Sequence, residues 1–116
     1  MKRVTHTLNL GGASVRVQGW DFGVPGLMMH RDVIWHAGGE VQSYHPSSLV
    51  VSHLASGKKI GPLPGNKVRE AAQVAAACYG GPDWTAGEQE VRTNPAYIAC
   101  VTQVLDAFFQ AGGRYV

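Results

Sequence analysis

The sequence is short of charge and of the groupings that charge would serve. Ten Lys and Arg stand against eight Asp and Glu, a formal net charge of +2, and charged residues make up 16% of the chain, below the roughly 25% usual for soluble domains. That balance lacks the one-sided basic field of a nucleic-acid-binding surface. With 45% hydrophobic residues it also excludes intrinsic disorder, which needs low hydrophobicity and strong net charge. Long apolar runs are missing: no window approaches the ~18 consecutive apolar residues of a membrane helix. Met1-Lys2-Arg3-Val4-Thr5-His6 has cations with no apolar stretch behind them, so no signal peptide is expected and the expected location is the cytoplasm. Cysteine is scarce too. Cys78 and Cys100 are too few for a disulfide framework, and both fall in alanine- and valine-rich helical patterns where a free thiol acts as a small hydrophobe. A Cys78–Cys100 bridge stays open as an alternative, since it needs only that two packed helices bring the Cα atoms within about 7 Å.

Catalytic groupings are equally sparse. There is no Gly-x-Ser-x-Gly elbow, and Cys78 lacks an electropositive setting. Ser52 and His53 are neighbours on a strand pattern and point to opposite faces. Of the carboxylates, Glu88 and Glu90 lie nearest each other and read as solvated. No catalytic residue is assigned and the chain is not expected to be an enzyme. The five histidines, His6, His30, His36, His45 and His53, form no His-x-x-x-His or Cys-x-x-Cys spacing. Convergence across strands, for example of His45 and His53 over a hairpin, would still want supporting carboxylates. No metal and no cofactor is expected.

What is present is two kinds of periodicity. Val4–Leu10 alternates, with Val4, Leu8 and Leu10 on one face and Thr5, Thr7 and Asn9 on the other, and Ala13–Gln18 alternates again after Gly11-Gly12. Two glycines between alternating runs predict a hairpin with a primed turn. Trp20–Gly26 reads as a turn-rich connection and Leu27–Trp35 as a strand that can carry a bulge. Gly38-Gly39 turns into Glu40–His45, His45-Pro46-Ser47-Ser48 breaks that run, and Leu49–Leu54 restarts it. Ser56-Gly57 then turns into Lys58-Lys59-Ile60. The second half changes period. Gly61–Gly65 is a breaker cluster, Asn66 is the expected cap of a helix burying Val68, Ala71, Ala72, Ala75 and Cys78/Tyr79, and Gly80-Gly81-Pro82 is its expected left-handed stop. Thr85-Ala86-Gly87-Glu88 fits a capping box. Asn94-Pro95 opens a helix to about Gln110 that buries Tyr97 or Ile98, Val101, Val104, Leu105, Phe108 and Phe109, ended by Gly112-Gly113. The expectation is one α+β domain spanning residues 1–116. It consists of an antiparallel meander of about four to six strands over residues ~4–60 with helices ~66–79 and ~95–110 on one sheet face, the other face being wetter.

Two surface candidates follow. Lys58, Lys59, Lys67 and Arg69 flank a loop that leads into a helix N-terminus, where free N–H groups and the helix dipole favour anions or nucleic acid. The order Gly65-Asn66-Lys67 is not a Walker motif. Arg31, Trp35, Tyr44 and Trp84 are the residue types of a protein–protein hot spot, provided they lie exposed.

The run Leu49-Val50-Val51-Ser52-His53-Leu54-Ala55-Ser56-Gly57-Lys58-Lys59-Ile60, the alanine-rich Val68–Ala76 and then Asp83-Trp84 resemble a layout found in small uncharacterised phage and prophage proteins. The resemblance spans residues 49–84 and departs from the layout at Ser52, where a Thr is usual. It implies a class in which inhibitors of host defence, including anti-CRISPR proteins, act by covering a host protein surface such as a CRISPR–Cas effector. It carries over no functional residue. A basic-loop binder of nucleic acid or a phosphorylated ligand, and a homo-oligomeric virion protein pairing through an exposed strand edge, are the alternatives.

Overall fold

The structure, a computed structural model, describes residues 1–36 and 38–113. Five strands, β1 (Lys2–Leu10), β2 (Ala13–Asp21), β3 (Leu27–Trp35), β4 (Val41–His53) and β5 (Lys58–Pro62), precede three helices, α1 (Val68–Tyr79), α2 (Glu88–Thr93) and α3 (Pro95–Gln110). The strands form one antiparallel sheet in chain order, β1-β2-β3-β4-β5. It is the expected α+β meander with C-terminal helices, and α2 adds a short third helix.

Gly11 and Gly12 both have positive φ, 59° and 81°, as a two-residue primed turn requires, and the register from Leu10↔Ala13 out to Lys2↔Asp21 is unbroken. The β2–β3 junction is different. The two strands pair at the single bridge Trp20↔Met29, because the chain bends sharply there. Gly19 permits the bend: a Cβ at that position would collide with the Met29 carbonyl oxygen and press on the Cβ of His30. The β1–β2 hairpin thereby curls over the rest of the sheet, and its tip reaches the β4–β5 turn, where Asn9 N–H donates to the Gly57 carbonyl at 2.7 Å.

This curl corrects the expectation of a wet second face. Leu8, Val15, Val17 and Met28 are buried together on the inner face, flanked by Val33, Trp35, Val41 and Tyr44. The opposite face carries the larger cluster, in which Leu27, Met29, Leu49 and Val51 of the sheet meet Ala71, Ala75 and Tyr79 of α1 and Tyr97 and Val104 of α3. The outer faces of β1 and β2 before Trp20, with Thr5, Thr7, Arg16 and Gln18, stay exposed.

Several local expectations also change. Residues 45–48 do not break the strand. Arg31 pairs with Leu49 and Val33 with Tyr44, so these residues bulge out opposite Asp32, a position that tolerates the missing N–H of Pro46. Asn66 is not the cap of α1: Lys67 holds that position, with no side-chain cap. Gly80 ends α1 with φ −74° rather than left-handed. The Thr85 hydroxyl turns back to Asp83 Oδ1 at 2.6 Å, and Gly87 caps α2. Asn94 does cap α3, accepting from Ala96 N–H at 3.0 Å, and Gly112 (φ 87°) closes it. On α3, Ile98 and Phe109 point outward, 48% and 46% exposed, while Tyr97 and Val104 are buried.

Candidate interaction surface

Two of the five histidines, His30 and His53, are engaged within the fold. His30 lies on the inner face of β3, fully buried, and its Nδ1 is 2.7 Å from the Arg31 carbonyl oxygen, an acceptor only. That contact places the proton on Nδ1, so Nε2 accepts from the Ser52 hydroxyl at 2.8 Å. Burial pushes the imidazole below its ordinary 6.5, against the opposing pull of the Arg31 carbonyl and Asp32, because an uncompensated charge is costly out of water. Ser52 lies opposite Lys59 in the β4–β5 register, and Lys59 Nζ pairs with Asp32 Oδ2 at 3.3 Å. Donor and acceptor are aligned in the Ser52–His30 pair as in an activated hydroxyl, but both residues are sealed from solvent. The pair ties β3 to β4.

His53 faces the opposite way, into the helix-covered core. Its Nε2 lies 3.0 Å from the Trp84 carbonyl and 2.8 Å from that of Ala86, so it donates, and Nδ1 accepts from Ser56 Oγ at 2.8 Å. His53 thus anchors the α1–α2 connection to β4. His45 sits exposed in the bulge of the same strand, so His45 and His53 do not converge. Among the described residues no three His, Cys, Asp or Glu side chains come together in a way that could hold a metal ion.

The basic residues do not gather. Lys58 pairs with Glu88 on α2, whose carboxyl that hydrogen bond holds below its usual range, and Lys59 pairs with Asp32. Lys67 and Arg69 are exposed at the start of α1, and Arg69 lines a different concavity from the one shared by Lys58 and Lys59.

Of the hot-spot candidates, Trp35 and Tyr44 pack against the inner cluster, Trp84 belongs to the helix-covered one, and Arg31 reaches the bulge of β4. Arg31 donates to the Pro46 carbonyl at 2.7 Å and to that of Asn66 at 3.3 Å, bracing the bulge against the loop before α1. Trp35 is half-buried with its ring over Gly11. The Tyr44 hydroxyl accepts from Gln18 N–H at 3.0 Å, filling the place of a ladder bond where β2 and β3 splay. Trp84 is 1% exposed, which removes it from any surface. Its ring stands edge-on between Tyr79 and Tyr97, with centroids at 5.2 and 4.9 Å, and Nε1–H donates to the Tyr79 carbonyl at 2.7 Å.

The surface that combines arginine with tryptophan lies elsewhere. Arg3 stands opposite Trp20 in the hairpin register, and its guanidinium sits over the indole, 5.8 Å from the centroid. Trp20 walls a groove of about 780 Å³ between the end of β2 and α1, with Met1, Val68, Ala72, Ala76 and Arg69 around it. The pairing was open to sequence reasoning. Counting outward from Gly11-Gly12 places Arg3 across from Trp20 on the same face. That α1 would form the other wall was not readable, because nothing local links residues 20 and 72.

Comparison of the chain with protein-family models, with curated proteins and with solved structures gives no match.

Proposed function

We propose that this protein acts by binding another protein through its surface, as a small phage- or mobile-element-type protein whose partner is a component of a host defence complex of the CRISPR–Cas kind. The defence assignment rests on the resemblance of residues 49–84. The observation that carries the binding assignment is the Arg3–Trp20 stack beside an apolar groove. Arginine and tryptophan dominate binding hot spots, since each presents a large, nearly rigid contact area with directional donors. Recognition of nucleic acid through the basic loop has less support, since Lys58 and Lys59 each have a carboxylate partner.

The test is capture of a partner at stoichiometric amount from host lysate by immobilised protein, compared with the variant R3E. Loss of the captured protein with R3E is the expected result. No stoichiometric partner, or equal capture by the variant, would remove the reading. One observation favours assembly of identical copies as a second reading. Asn9 N–H points away from β2 to Gly57, so by the antiparallel alternation Arg3, Thr5 and Thr7 direct their backbone groups to the same open edge. A clean monomer at high concentration in size-exclusion chromatography with light scattering would dismiss it.

A further inference from the structure

Resting on the protein-binding reading, we propose that the groove beside Trp20 is the docking site for a partner segment in which apolar side chains alternate with clustered carboxylates. The chemistry of the groove selects that composition. Its base is apolar and shallowly stepped: Met1, Val68, Ala72 and Ala76 line it, and the two alanines leave room for an inserted side chain against the indole of Trp20. Arg69 lines it, and Arg3 lies over the ring of Trp20 beside it. Arg3 and Arg69 are both exposed, and among the described residues neither is in an ion pair, which are Lys58–Glu88, Lys59–Asp32 and Arg92–Glu88. The one acid lining the groove, Asp21, has an oxygen occupied by Gly23 N–H at 2.9 Å. The groove therefore offers an apolar floor with two arginines at its side that form no ion pair among the described residues.

Stacking on Trp20 orients the Arg3 guanidinium while leaving its edge N–H groups free, the geometry that takes a carboxylate in bidentate fashion. A segment with an aliphatic or aromatic anchor on the alanines and Asp or Glu on either side satisfies floor and arginines together. A nucleic-acid strand fits less well, because its backbone needs a continuous track of cations, and Lys58 and Lys59 are spent on ion pairs in another concavity.

The experiment is selection of a random peptide-display library on the intact protein. The enriched peptides are then synthesised with a fluorescent label and titrated by polarisation against the wild type and the variants R3E/R69E and A76E. All three changes lie at exposed positions, and circular dichroism confirms that each variant is folded. Expected are peptides rich in Asp and Glu interleaved with Leu, Phe or Trp. Their affinity should fall at least about tenfold in both variants and decline with salt. Binding should also shift the Trp20 indole resonance, assigned with W20F, more than those of Trp35 and Trp84. Enrichment of neutral or basic peptides, equal affinity of the variants, or no enrichment would overturn the proposal. So would a labelled single-stranded RNA that binds the groove in place of the peptides. None of these outcomes bears on stoichiometric capture of a folded partner, so failure here and failure of the protein-binding reading are told apart.

Discussion

The two faces of the sheet are both apolar, yet they are closed by different means. The outer face is covered by helices that come later in the chain, and Trp84 is clasped there between Tyr79 and Tyr97. Among the described residues no helix contributes to the inner cluster. The inner face is closed by the sheet folding on itself at Gly19, and it encloses the polar pair His30 and Ser52 among Leu8, Val15, Val17 and Met28. A core sealed by separate helices depends on large side chains that bridge elements. A core sealed by curvature depends on the absence of a side chain where two strands cross, and on exact satisfaction of whatever polar group is trapped.

Substitutions can break this contrast in order of effect. Trp84→Ala removes two edge-on ring contacts and the Nε1–H bond to the Tyr79 carbonyl, and should cost about 3–5 kcal/mol in urea unfolding. A loss under about 1 kcal/mol would show that the helices close the outer face without it. Gly19→Ala adds one methyl group where none fits and should cost about 1–3 kcal/mol, the range of overpacking. An unchanged midpoint would mean that close approach at Gly19 does not set the curl.

The smallest effect should come from His30, read as a pH dependence. Burial lowers its folded-state pKa below 6.5, so between that lowered value and 6.5 the unfolded chain binds the proton and the folded one does not. Stability from the neutral ring is therefore complete above 6.5 and is lost as pH falls through the folded pKa. The wild type should lose more stability between neutral and mildly acidic pH than H30Q does. Parallel pH profiles of the two would show that His30 is not held neutral. Ser52→Ala, which deprives Nε2 of its donor, should cost about 1–2 kcal/mol near neutrality.

Much of the architecture is readable because it depends on local chemistry. The positive φ at Gly11 and Gly12, the Asn94-Pro95 helix start and the stripe of Ala71, Ala75 and Tyr79 each follow from residues close in sequence. The misreadings share one origin. The bulge at residues 45–48 is held by Arg31, an element away. The Ser52–His30 bond joins residues on different strands, so the adjacency of Ser52 to His53 revealed nothing about it. Trp84 looked available as a surface anchor because its partners, Tyr79 and Tyr97, meet it only once α1 and α3 have packed. The candidate groove was half legible: the hairpin register pairs Arg3 with Trp20, and the wall supplied by α1 was not.

By itself the order of residues determined that strands precede helices, where the tight turns fall, and which side chains share a face of each strand, since backbone sterics and periodicity act over a few residues. Tertiary structure alone decided that the second sheet face is a closed core, that Lys58 and Lys59 are paired with carboxylates, and that Trp20, with Arg3 over its ring, and Arg69 wall one groove. Those outcomes require distant segments to meet, and the energy that selects the meeting is spread over the whole packed interior rather than written in any short stretch of chain.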